Sequence, residues 1–317
     1  MKPATRESLN LHRGRLNQTR AFKAVRLGVG SIEIEIMEYC EGDACLQPLI
    51  ILSPIEFPCP PSVAFCECMK QNGFRVVYVR RFGTGATPNL PLQLLTTENI
   101  REGAAVTTEA ALISRVISEL RLQNCILLGM SSSNPICYRL CLMHPDICLT
   151  VFSHPIFNQD TFGTVRPFWF QAILRQIIFT KSGFKLSANG LRYYIKHHPL
   201  SFYDQLYSKS AADLQYRRDN EEDFLKAARL VIENSAANLY YDAVQTLAED
   251  SLLKDGLFLN VRAVVFAGSE TTTTWLSNAK LEAERLAVPF EQASEGGILA
   301  AYASPNTLSK VIKDHLP

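Results

Sequence analysis

Residues 127–135, Leu-Leu-Gly-Met-Ser-Ser-Ser-Asn-Pro, join an apolar run to small residues and a helix-opening proline. Gly129 and Ser131 fit a G-x-S-x-G turn, in which serine sits on a tight strand-to-helix bend that only small neighbours tolerate, and Ser133 stands where the last glycine would be. The chemistry served by such a bend is attack of the Ser131 hydroxyl on a carbonyl carbon. A hydroxyl is a poor nucleophile near neutral pH, so a base must take its proton and a carboxylate must orient the base. The same three serines also suit a plainer task, capping the helix that opens near Pro135.

Imidazole is the natural base, and the chain has six histidines. His12 lies in a basic N-terminal stretch, His144 precedes a proline at a helix end, and His315 is near the C-terminus. His197 and His198 fall in an aromatic helical segment. His154, in Val-Phe-Ser-His-Pro, ends an apolar run at the edge where ligands bind in parallel sheets, which makes it the candidate base; a hydrogen-bonded structural role is the alternative.

The elements that must position these residues can be read from periodicity. Residues 25–40 alternate apolar and polar side chains as half-buried strands do, and 48–55 form a continuous apolar run. Helical spacing over 62–73 stops at Gly73 and a buried strand follows over 74–81, giving a βαβ unit. A turn-rich loop leads to a helix expected over about 97–122, then a strand at 124–130, a helix at 135–144 and a strand at 148–155. From 158 to 259 the alternation gives way to aromatic helical sequence, including one stretch from 221 to 247; strand and helix alternation resumes after 260. The expectation is a mostly parallel sheet covered by helices on both faces, built from 25–157 and 260–317, with 158–259 as a helical cap and 1–24 as a basic tail.

Composition narrows the function classes. The 32 basic and 31 acidic residues nearly cancel, and no basic face is interleaved with aromatics, so no nucleic-acid role is expected. There is no secretory signal and no long uncharged run, so a cytoplasmic protein without a membrane span is expected. Nine cysteines sit mostly in apolar runs, as reduced core thiols would. Cys66/Cys68 and Cys137/Cys141 lack a second ligand pair at zinc-site spacing, so neither a metal nor a cofactor is expected.

From about residue 25 onward, the order of these pieces resembles the α/β-hydrolase fold family. Gly-Phe-Arg-Val-Val-Tyr-Val at 73–79 looks like its fourth strand, 129–133 like its nucleophile turn, and Val-Val-Phe-Ala-Gly-Ser-Glu at 264–270 like the strand before its acid. The segment 295–316 is similar to the stretch that carries its histidine. The resemblance implies Ser131 as nucleophile and, as candidate acids, Glu270 near the usual position or Asp160 after the sixth strand. It implies an oxyanion site from the backbone N–H groups of Ile55 and Ser132, although Ser53 and Pro54 replace the usual His-Gly. It also places Ile298 where the histidine belongs, and isoleucine cannot accept a proton.

The expectation is therefore a degenerate triad and a non-hydrolytic binder of a small hydrophobic molecule, a partner protein, or both. Phe168, Trp169, Phe170, Tyr193, Tyr194 and Ile298 are candidate pocket residues. The competing expectation is a serine esterase, thioesterase or acyltransferase acting on an acyl ester through Ser131 with a non-standard base.

Overall fold

A computed structural model describes residues 22–29, 32–39, 45–52, 54–157, 180–245 and 249–317. Strands β1 (Phe22–Val29) and β2 (Ile32–Tyr39) pair antiparallel, and β2 pairs antiparallel with β4 (Phe74–Val79). The rest of the sheet is parallel: β3 (Gln47–Leu52), β5 (Cys125–Met130), β6 (Ile147–Ser153), β7 (Ala263–Gly268) and β8 (Phe290–Ala293) complete the order β1-β2-β4-β3-β5-β6-β7-β8. β5 and β7 are buried along their whole length, as strands covered on both faces must be. The first strand begins at Phe22, inside the segment expected as tail.

Two helix pairs cover the sheet: α1 (Val63–Gln71) with α11 (Pro305–His315), and α3 (Ala104–Glu119) with α4 (Asn134–Met143). The helix expected over 97–122 is divided into α2 (Thr97–Arg101) and α3, because Gly103 takes a φ of +76°, a left-handed conformation that glycine adopts without steric cost. Between β6 and β7 come α5 (Lys181–His197), α6 (Pro199–Leu206), α7 (Ala211–Asp219), α8 (Glu221–Glu233), α9 (Ala236–Val244) and α10 (Glu249–Leu252). The stretch read as helical over 221–247 breaks at Asn234, which is extended, and restarts where the Ser235 hydroxyl accepts the Asn238 N–H at 3.1 Å.

Register brings the chemistry together. Leu52 lies opposite both Val79 and Gly129, Met130 opposite Ser153, and Ser153 opposite Phe266. The residues that follow those strand ends, around 54–57, 80–81, 131, 154 and 269–270, therefore emerge at one edge, where parallel α/β sheets place their ligands. The inserted helices reach this edge through packed rings: Phe57 lies 4.4 Å from Phe224, Tyr302 is 6.1 Å from Phe57, and Tyr203 is 4.9 Å from Phe224. All four rings are buried.

Candidate active site at the strand ends

Ser131 has a φ of +45°, the strained left-handed backbone expected of a serine presented on a strand-to-helix bend. Its neighbours explain how the bend survives. A Cβ on Gly129 would lie 2.5 Å from the Cys137 sulfur and 2.8 Å from Asn134 Oδ1, so only glycine lets α4 approach β5 this closely. Ser133 is fully buried, yet its hydroxyl accepts the Met130 N–H at 2.7 Å and has the Leu52 carbonyl at 2.7 Å as an acceptor. A serine can thus replace the last glycine without an orphaned polar group. Asn134 closes the turn by donating to the carbonyls of Ser131 at 2.9 Å and Ser153 at 3.0 Å.

The Glu56 carboxylate, in the loop after β3, lies near enough to the Ser131 hydroxyl for the serine to lower its pKa. Ser132 donates to the same carboxylate at 3.4 Å, and its Oγ accepts the Ile55 N–H at 3.1 Å. Burial pushes the Glu56 carboxyl above its ordinary value, while hydrogen bonds, including those of Ser131 and Ser132, and the Arg81 charge pull the other way. The loop is pinned by Tyr203 of α6, whose hydroxyl donates to the Glu56 carbonyl at 2.8 Å. Of the expected oxyanion donors, Ile55 N–H is thus already engaged, and a carboxylate stands beside Ser131.

A buried charge cluster lies next to this pair. Arg81 follows β4 and bonds Glu109 of α3 at 3.2 Å as well as Asp242 of α9; the side chains of all three are under 5% exposed. Gln245 donates to the Ser132 carbonyl and accepts from Arg81 at 3.3 Å, and Tyr241 donates to Glu109 at 2.9 Å. The cluster thus runs from a core helix to an inserted helix and touches the serine turn. Burial pushes Asp242 up to about 7, with the Arg81 charge opposing and Glu109 adding to the rise. Sequence reasoning missed Glu56 and this whole cluster. One legible signal was Glu109, which shares a helical face with Ala105, Val106, Ala110 and Ile113, where an apolar residue is the rule.

His154 follows β6 with a φ of +47° and is buried, its ring stacked on Trp275 at 4.0 Å and 7°. Burial lowers its pKa to about 4, so the imidazole is neutral at pH 7, and its Nδ1 has no hydrogen-bond partner among the described residues. Glu270 Oε2 accepts from the Ser210 hydroxyl at 2.7 Å and from the N–H groups of Ala212 at 2.9 Å and Gly296 at 3.2 Å. Burial raises its carboxyl, but these bonds outweigh it and hold the pKa below the ordinary value. Ile298 lies partly buried between Gly297 and Leu299, whose N–H groups donate to Asp213 of α7 at 3.0 and 3.1 Å. Both carboxylates are thus engaged in fastening backbone rather than in orienting an imidazole.

Tyr193 is 69% exposed, packed on His197 at the surface, and Tyr194 accepts from Gln205 at 2.9 Å. His198 is exposed as well. Asp160, Phe168, Trp169 and Phe170 lie outside the described residues. Among the described residues no group of three or more His, Cys, Asp or Glu side chains could hold a metal ion, and no helix is long and apolar enough to cross a membrane.

No family model matches the sequence, and no curated protein matches it by sequence. Solved structures match it in shape. A proline iminopeptidase-related protein from Thermus thermophilus is 18% identical with a TM-score of 0.58, over 93% of this chain and 96% of its own. An esterase from Exiguobacterium antarcticum is 18% identical with a TM-score of 0.58, over 93% and 98%. A bromoperoxidase from Bacillus anthracis is 14% identical with a TM-score of 0.59, over 92% and 99%. Such low identity carries fold and not chemistry. Strand order, the strained serine bend, the helices inserted between β6 and β7 and these neighbours lead to one conclusion: this chain has the α/β-hydrolase fold.

Proposed function

We propose that this protein is a non-hydrolytic member of its fold, in which 158–259 caps the strand ends and encloses a site for a small hydrophobic molecule near Ser131. The observation that carries the reading is Glu56. Hydrolysis builds negative charge on the carbonyl oxygen beside the attacking serine, and that charge needs N–H donors, whose removal costs about 10²–10³ in turnover. Here a carboxylate lies near Ser131 and the Ile55 N–H is engaged by Ser132. Ile298 at the expected base position and a His154 that loses its proton near pH 4 support the same reading. Eight cysteines outside any disulfide among the described residues support a reducing, cytoplasmic setting.

One observation favours a second reading. A carboxyl whose pKa is raised by burial is a stronger base than an exposed one, so Glu56 itself could take the Ser131 proton in an esterase or acyltransferase. Turnover of p-nitrophenyl butyrate and labelling by a fluorophosphonate probe separate the two. The expected result is turnover at background and no Ser131 adduct. Rapid turnover lost in Ser131→Ala and in Glu56→Gln would establish a serine–glutamate pair instead, whereas turnover lost in His154→Ala would identify the imidazole as base.

A further inference from the structure

A cavity of about 400 Å³, which Ser131 does not line, lies between the sheet edge at β1, β2 and Arg80 and the inserted helix α8. Its size falls within the range of small-molecule sites. Arg80 and Arg81 are consecutive, and while Arg81 belongs to the cluster beside the serine turn, Arg80 lines this cavity.

The Arg80 guanidinium is buried and held on two sides. Its Nε lies 2.8 Å from Glu35 Oε2, which also accepts the Ala86 N–H at 2.9 Å, and its Nη1 donates to the Pro58 carbonyl at 2.8 Å. Gly85 packs against this pair so closely that a Cβ there would lie 2.4 Å from Glu35 Oε2 and 2.6 Å from Arg80 Cδ. Nε, although close to Glu35, has no hydrogen-bond acceptor among the described residues, and Nη2 meets the Met37 thioether at 3.5 Å, a weak acceptor. A fixed guanidinium with its outer nitrogen on sulfur is preorganised for a better acceptor, and carboxylate is the group its geometry matches.

The opposite wall supplies a second cation and an apolar surface. Lys226 on α8 directs one donor to Asp223 at 3.0 Å, and an ammonium has three; Leu230, one turn on, presents apolar surface, and Met37 and Cys59 add more. We propose that this cavity is a second binding site, taking an amphipathic monocarboxylate whose head group accepts from Arg80 Nη2 and Lys226 and whose chain lies on Met37 and Leu230.

Calorimetric titration of the full chain with sodium octanoate, octylamine and octanol tests this. Octanoate is expected to bind one to one with a Kd on the order of 0.1 mM, and octylamine and octanol at least tenfold more weakly. Leu230→Trp, which fills the cavity, is expected to abolish binding; Lys226→Glu should weaken it several-fold, and Arg80→Gln at least tenfold. Because Arg80→Gln also breaks the pair with Glu35 and can unfold the chain, Leu230→Trp and Lys226→Glu decide the matter, with folding checked by circular dichroism. No octanoate binding, equal binding of octylamine or octanol, or octanoate affinity unchanged in Leu230→Trp would each overturn the proposal, the last by placing the ligand elsewhere.

Discussion

Two groups of carboxylates fasten the inserted helices to the sheet, one on each side of Ser131, and they do so by different physics. On the β4 side, Glu109 and Asp242 converge on the buried Arg81 guanidinium, so charge meets charge out of water. On the β7–β8 side, Asp213 and Glu270 accept backbone N–H groups of the loop that carries Ile298, and Glu270 also accepts from Ser210 and Ala212 at the start of α7. The first arrangement sets two carboxylates against one guanidinium, so the set holds a proton up to near neutrality. The second fixes a loop by carboxylate–amide bonds and needs no cation. The comparison teaches that burial and bonding partners act together on a carboxylate. Burial pushes Asp242 up to about 7 and also raises Asp213 against its two N–H donors, while Glu270, more open and bonded by three donors, is held low.

The largest effect should come from Arg81→Met, which leaves two carboxylates buried without a counter-charge. Breaking a buried pair from one side costs about 3–5 kcal/mol, so urea unfolding should lose that much at pH 7. An equal loss in Asp213→Ala would erase the distinction between the two fastenings. The next effect is in pH. Asp242 has an ordinary value of 3.8 and a folded value of about 7, so between those pH values the native state holds a proton that the unfolded chain releases. Its contribution to stability therefore falls as pH rises from about 4 to 7, by a few kcal/mol at about 1.4 kcal/mol per unit. Asp242→Asn should flatten that part of the stability-versus-pH curve, and a slope unchanged by the substitution would assign the proton to another group.

Asp213→Ala should cost about 1–3 kcal/mol, because it strands the N–H groups of Gly297 and Leu299. The smallest effect is expected from Glu270→Ala, since that carboxylate is less buried and water can replace it. Its depressed pKa works in the opposite sense to that of Asp242: its contribution is complete above its unfolded value and lost as pH falls through the lower folded one. A melting series below pH 5 that separates wild type from Glu270→Ala only at the higher pH values checks the sign.

The course of the chain was legible because strands and helices announce themselves locally. The run at 125–130 marks β5, the small residues at 129–133 mark the serine bend, and loss of alternation after 157 marks the inserted helices. Two long helices were over-read where one residue changes the backbone: Gly103 by its left-handed φ, and Asn234 by its extension ahead of a serine cap. Periodicity averages over a turn or more and does not register a single-residue break.

The site divides differently. Sequence by itself determined which group can sit on the bend, whereas Ile298 at the base position and the replaced oxyanion residues are what the family resemblance implies. Only the tertiary structure decided what meets Ser131. Glu56, Arg81, Glu109 and Asp242 are separated by up to 186 positions in the chain, and apart from Glu109, set on an apolar helical face, each by itself reads as an ordinary surface charge. Strand register and the docking of α9 bring them together, and burial then gives them properties that no residue carries alone: a carboxyl near neutrality at Asp242 and a raised one beside the serine. Desolvation and proximity belong to the folded arrangement, which is why the chemistry around Ser131 could be asked of the sequence but answered only by the fold.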